Sequence, residues 1–437
     1  QNYDIIIKGG HIIDPLNNID QVMDLAIIGN KIAAIEKKIS DKQGKKIVDA
    51  SGLIVSPGLI DMHTHNFYGT VHDRYLANSF SAVPPDGFTF RSGVTTVVDA
   101  GSPGWKNFEL YKSQIIDPSK TRVLCFLNIV GDGMSGSHRE QNIEDMNPQM
   151  TAMVAKQNRD HVVGVKLAHF MGYDWTPTEL AVEAGKIGGI PVMIDFGGSN
   201  PELPLDKLFL EKLRPGDIFT HAYAHVNGRT PIVGENGRVR DYVFKAQKRG
   251  IVFDVGHGGG SFLFEQAVPA IQQGLKPDVI STDLHTGSMN GGMKNINNVM
   301  SKFLNMGLSI QEVIAATTSR PAKYIQRKDI GHLSVGGLAD VTLLNIREGD
   351  FGFIDTRGKR MKGNKKLVGG LTTSNYYNKA INLMNSKIKD PHYYVFSTKK
   401  FTIFDNINFG HNVTFINNDN GFDGTLENLW LMSQCYN

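Results

Sequence analysis

From Leu59 to about Arg320, apolar runs of strand character alternate with helix-like stretches, which restricts the chain to a parallel sheet with helices packed on it. The runs include Thr95-Thr96-Val97-Val98, Val123 to Ile129, Val162 to Leu167, Pro191 to Ile194, Ile218-Phe219, Ile251-Val252-Phe253 and Val279-Ile280. Each is continuously apolar rather than alternating, the pattern of strands buried on both faces. Eight such units close a (β/α)8 TIM-type barrel of the α/β class. Polar residues stand at the C-terminal ends of the runs: Asp61, His63, Asp99, Lys166, Asp195, Thr220-His221, Asp254 to His257 and Asp283. In a barrel these ends meet at one mouth, so residues far apart in sequence share a site.

The flanks read differently. Up to Pro57, short β runs are split by turn signals such as Gly9-Gly10 and Gly29-Asn30, which predicts small antiparallel strands. Leu333 to Asn345 reads as β again, so the two ends of the chain are expected to pair in a small β-sandwich. The predicted division is 1–57 and 332–373 for the sandwich, 58–331 for the barrel, and 374–437 as a tail rich in Asn, Lys and aromatics with no assigned periodicity.

Charge and composition narrow the function. Lys plus Arg number 46 against 43 Asp plus Glu, too balanced for a nucleic-acid footprint, and no apolar run reaches the ~18 residues of a membrane span. Two cysteines cannot build a disulfide framework or a four-thiolate metal site, whereas 14 histidines favour imidazole and carboxylate chemistry. The expected partner is a small-molecule substrate, with neither nucleic acid nor membrane, and a homo-oligomer is an allowed state. The chain opens on Gln1 rather than Met, which leads us to expect processing and a periplasmic or secreted location, with a cytoplasmic one as the alternative.

His63 and His65 lie two apart at a strand end and so point to the same side, where both imidazoles can reach one cation. Lys166 lies in an apolar run where an unpaired ammonium is costly. It either reaches solvent or, neutralised by burial, takes up carbon dioxide as a carbamate. His221 and Asp283 each end a strand, where either could be a mere capping group.

Together these residues resemble the metal-binding pattern of the amidohydrolase superfamily, in its dihydroorotase-like and deacetylase-like branch. Further matches are Ser56-Pro57-Gly58-Leu59-Ile60-Asp61, Ser92-Gly93-Val94-Thr95-Thr96-Val97-Val98-Asp99, Ser281-Thr282-Asp283-Leu284-His285 and Gly336-Gly337-Leu338-Ala339-Asp340-Val341, and the resemblance spans about Tyr3 to Leu371. It implies two divalent cations, zinc first and manganese second, held by His63, His65, Lys166 as a carbamate, His221 and Asp283. It also implies that Asp283 moves the proton. A cation of this kind lowers the pKa of bound water to about 7.

One position departs from the family pattern: Asp195 stands where a histidine is usual after strand five. A carboxylate can ligate zinc or manganese, but it removes a unit of positive charge from the centre, which predicts a weaker Lewis acid or a second site that is partly filled or prefers a harder cation. The glycine loop Gly256 to Gly260 offers His257 and Gly258 for substrate binding and His257 for catalysis, or else is only a sharp turn with a solvent-facing histidine. Tyr68 and His285 are expected to contact substrate, and His72, Arg74, His169 and His225 to line the mouth. The function expected is hydrolysis, by metal-activated hydroxide, of a non-peptide amide or an ester in a small acylated carboxylic acid. The alternatives are a cyclic amidohydrolase resembling dihydroorotase and a non-catalytic metal- or ligand-binding barrel.

Overall fold

The structure, a computed structural model, describes residues 2–67, 82–196, 198–369, 386, 393–397 and 413–417. Five strands open the chain: β1 (Tyr3–Asp14), β2 (Ile19–Ile28), β3 (Lys31–Glu36), β4 (Gly44–Asp49) and β5 (Ile54–Pro57). Next come β6 (Leu59–Thr64), β7 (Val94–Gly104), β8 (Arg122–Asn128), β9 (Val162–Phe170), β10 (Val192–Phe196), β11 (Ile218–Phe219) and β12 (Val252–Phe253). The last strands are β13 (Val341–Ile354), β14 (Arg360–Gly369), β15 (Tyr393–Ser397) and β16 (Val413–Asn417).

Strands β6 to β12 form one parallel sheet in sequence order, with helices in most of the connections. Residues 279–284 bridge its two edges: Val279 pairs in parallel with Asp254 beyond β12, and Leu284 with Thr64 of β6. The sheet therefore curls into a TIM-like barrel. Ile60, Met62, Val98, Phe126, Met193, Ile218, Val252 and Val279 form one buried apolar cluster drawn from neighbouring strands, inside the curl. Leu59, Val97, Val165, Val192 and Phe253 join a second cluster with the helix residues Tyr111, Ala155 and Ala181. Burying each large apolar side chain contributes about 1.5–3 kcal/mol, so the two-faced burial read from the sequence is what holds the curl.

Helix ends follow their capping residues. The helix Pro148–Gln157 starts where the Asn147 side chain accepts from the Met150 N–H with proline at the first position. The helix Ile310–Ala315 starts with a reciprocal Ser309–Glu312 capping box.

The two ends of residues 1–370 do meet in one mixed sheet, ordered β14-β13-β5-β1-β2-β3 with β4 also on β1. Its N-terminal part is not purely antiparallel, as expected above. β4 and β5 run parallel to β1, taking its edge one after the other, because β1 is long enough to serve both. A separate unit, residues 371–437, contains the parallel pair β15 and β16. Among the described residues no helix is long and apolar enough to cross a membrane.

Candidate active site

The strand ends bring the sequence-predicted donors together. One donor atom from each of His63, His221 and Asp283 lies within 4.8 Å of the other two, and all three residues are buried. His65 joins them, its Nε2 3.0 Å from Asp283 Oδ1, while His63 Nε2 is 3.6 Å from the same oxygen. Asp195 Oδ2 lies 3.2 Å from His221 Nε2. Two of these residues sit in the left-handed region that side chains rarely adopt, His221 at φ 54° and Asp283 at φ 50°. Such strain clusters at functional sites because the surrounding packing sustains it.

The imidazoles are fixed from behind. Thr220 Oγ1 donates to Asp254 Oδ2 at 2.7 Å, so the same hydroxyl oxygen accepts from His63 Nδ1 at 2.9 Å. His221 Nδ1 donates to the Gly256 carbonyl at 2.6 Å. When neutral, each ring then aims a bare Nε2 lone pair at a carboxylate oxygen. Such a pair needs a proton or a cation between its atoms, and a hydrogen bond at the far nitrogen is how metal-bound histidines are oriented. Burial also pushes His63 down to about 3, favouring the neutral ring a metal needs.

Lys166 is fully buried, and among the described residues its Nζ has no hydrogen-bond partner. Burial pushes the amine down despite the nearby carboxylates of Asp195, Asp283, Asp254 and Asp99. Its stem fills a cradle left by Gly101, where φ is +91° and an added Cβ would lie 2.5 Å from Lys166 Cγ. A buried amine with no hydrogen-bond partner among the described residues, set among carboxylates and beside imidazoles, is a donor set that fits divalent cations. Asp283 is held well below the usual carboxylate range: burial opposes its charge, but His63, His65 and His221 outweigh it.

The remaining expectations divide. His285 Nδ1 accepts the Gly287 and Ser288 N–H groups at 3.1 and 3.3 Å, which leaves the proton on Nε2, 3.8 Å from Asp283 Oδ2 and partly open to solvent. Gly258, at φ +58°, lies so close that an added Cβ would be 2.5 Å from Asp283 Oδ2. His257 corrects both sequence readings of its loop, since it neither faces solvent nor offers a free nitrogen. It is fully buried and stacked on Phe262, with Nδ1 3.0 Å from the Gly258 carbonyl and Nε2 2.6 Å from Lys302 Nζ. Tyr68, His72 and Arg74 lie outside the described residues.

Sequence reasoning passed over three contributors. Lys302 is fully buried on the helix Ile296–Asn305, between Val299 and Phe303, and a lysine amid that apolar stripe was the available signal. Arg229, also buried, donates to the His221 carbonyl at 2.8 Å and covers the Phe219 ring, with no pattern in sequence to announce it. Glu140 accepts from His169 Nδ1 at 2.6 Å, while His169 Nε2 lies 3.1 Å from Asp195 Oδ2. Burial opposes charge on His169, but Asp195 and Glu140 overcome it and push the ring up to about 10.

Known proteins resemble this chain along most of its length. The profile of the Amidohydrolase family matches residues 264–379. A deacetylase of Brucella anthropi is 34% identical over 334 residues, covering 75% of this chain and 80% of the relative. The crystal structure of an adenine deaminase superposes with a TM-score of 0.74 at 27% identity, over 84% of this chain and 97% of the other. That of a dihydroorotase superposes with a TM-score of 0.73 at 29% identity, over 84% and 96%.

Proposed function

The chain belongs to the amidohydrolase superfamily and is a hydrolase of C–N bonds, and from that premise we propose that it is a metal-dependent deacylase of small acylated carboxylic acids. The observation that carries this reading is the convergence of His63, His221 and Asp283 within 4.8 Å, beside the buried Lys166 amine, which has no partner among the described residues. The 34% identity to a deacetylase supports removal of an acyl group over ring opening. A cyclic amidohydrolase activity is the second reading, favoured by the superposition on a dihydroorotase.

In this reading His63, His65 and Asp283 would hold one cation, and Asp195 and His221 the other. Zinc is the first choice and manganese the second. Lys166, after its amine adds to carbon dioxide with an N–C bond formed and a proton released, would offer them a further carboxylate. The cations supply Lewis acidity and water made acidic enough to ionise near neutral pH. Asp283 takes the proton of the attacking water and returns it to the leaving nitrogen, so amide and water become acid and amine. His285 donates its Nε2–H to a substrate oxygen. Gly258 lets the substrate approach Asp283 closely, and His257 holds that loop in place. Residues 58–331 form the (β/α)8 catalytic domain, with 279–284 as its eighth strand. Segments 1–57 and 332–369 form the satellite built on the mixed sheet.

The test is acid release from a panel of N-acetyl amino acids and acetyl esters by protein supplied with zinc or manganese. Turnover on an N-acyl acid is expected, and Asp283→Asn should lower it about 10²–10⁴-fold. No turnover across the panel with cations bound, or an undiminished Asp283→Asn, would defeat the reading.

A further inference from the structure

His169, the last residue but one of β9, stands three residues after Lys166 in the same strained backbone state as His221 and Asp283, with φ 53°. Of the six non-glycine residues with positive φ among those described, three are thus gathered at this mouth. The conformation is held from the loop after β8. Gln141 donates from Nε2 to the His169 carbonyl at 2.8 Å and accepts the Met171 N–H at 2.9 Å, gripping the backbone on both sides of the turn. The neighbouring Glu140, itself buried, takes the ring's Nδ1 at 2.6 Å. The other ring nitrogen is thereby aimed at Asp195 Oδ2, 3.1 Å away, and that oxygen lies 3.2 Å from His221 Nε2.

The hydrogen-bond roles differ from those of the other imidazoles. His63 and His221 lean on a hydroxyl and a carbonyl, whereas His169 has a carboxylate at each end. Two carboxylates are two acceptors, so the ring donates at both. Asp195 therefore accepts from His169 on one side and faces the His221 Nε2, the other proposed ligand atom, on the other.

We propose that Glu140 and His169 form a clamp that fixes the Asp195 carboxylate as a ligand of the second cation, with His169 a positioning residue rather than a catalytic one. This rests on the reading of Asp195 and His221 as the second cation's site. Asp195 is a short side chain whose carboxylate can rotate away from the centre, and the clamp selects the rotamer that faces His221. Hydrogen-bonding partners of this sort typically govern metal affinity by 10–100-fold.

The experiment measures cations per chain and their affinities, by elemental analysis and competition with a chelator, on the full chain loaded with zinc. Wild type is expected to hold two cations. His169→Ala and Glu140→Gln should each weaken the second about 10–100-fold while leaving the first unchanged, and that retained first cation also reports an intact fold. Asp195→His should release the site from the clamp, so that adding His169→Ala to it changes nothing further. Unaltered second-cation affinity in both single variants overturns the clamp but not the site. A wild type with no second cation, or Asp195→Ala that binds it as well as wild type, overturns the site and the clamp with it.

Discussion

Lys302 shows how a single buried group ties the mouth to solution conditions. Its Nζ contacts His257 Nε2 at 2.6 Å and the carbonyls of Gly292 and Ile354 at 2.9 and 2.7 Å, three acceptors for three N–H bonds. Burial nevertheless pushes it down to about 7, with Asp355 only partly opposing and Lys294 adding to the fall. Between about 7 and the ordinary 10.5, the unfolded chain binds a proton here that the folded one releases. Stability therefore rises with pH across that window, by up to about 1.4 kcal/mol per unit, and is flat with respect to this group below it. Lys302→Met should remove that slope. Urea midpoints at several pH values for both proteins check this, and parallel curves would show that Lys302 stays charged throughout. The same residue marks a limit of sequence reading. A lysine amid Val299 and Phe303 was visible, but its partner His257 lies 45 positions away, and only the folded path of the chain joins them.

At the scale of elements, the ends of β6, β9, β10 and β11 and the segment 279–284 supply the proposed donors. They were legible because each is an apolar run closed by a polar residue: His63-x-His65, Lys166, Asp195, His221, Asp283. Elements without that contrast were not. β14, with the sequence RMKGNKKLVG, is mostly exposed and lysine-rich, so its pairing with β13 leaves no apolar signature. Glu140 lies in a short helical turn with no periodicity to read. Glycines at strand ends are the complementary signal. Gly101 and Gly258 have φ of +91° and +58°, and an added Cβ at either would lie 2.5 Å from Lys166 Cγ or Asp283 Oδ2. Gly101→Ala should therefore displace the lysine stem, costing about 1–3 kcal/mol of stability and reducing bound cations. Gly258→Ala should cut kcat with the cations retained. Thermal unfolding, elemental analysis and steady-state kinetics on the pair separate the two effects. Two variants with unchanged metal content and turnover would show that the loops yield freely.

For the molecule as a whole, the proposed donors come from both edges of the parallel sheet and from between them. His63 and His65 come from β6 at one edge of the parallel sheet. Asp283 comes from the segment that bridges this edge to β12 at the other, and Lys166, Asp195 and His221 come from strands between. Four buried carboxylates, Asp99, Asp195, Asp254 and Asp283, lie around the Lys166 amine, a group that bound cations would stabilise in the folded state. A ligand that binds only the folded state stabilises it by about 2.7 kcal/mol at a hundred times its dissociation constant. Exhaustive chelation should therefore lower the Tm by roughly 5 °C. Readdition of zinc should restore it, while Lys166→Met, with no amine to carboxylate, should respond much less to either treatment. Calorimetry on wild type and variant, with metal content measured alongside, decides the matter. A stripped wild type that melts where the loaded one does would mean that backbone pairing across residues 279–284 closes the barrel by itself, and that the cations serve the chemistry alone.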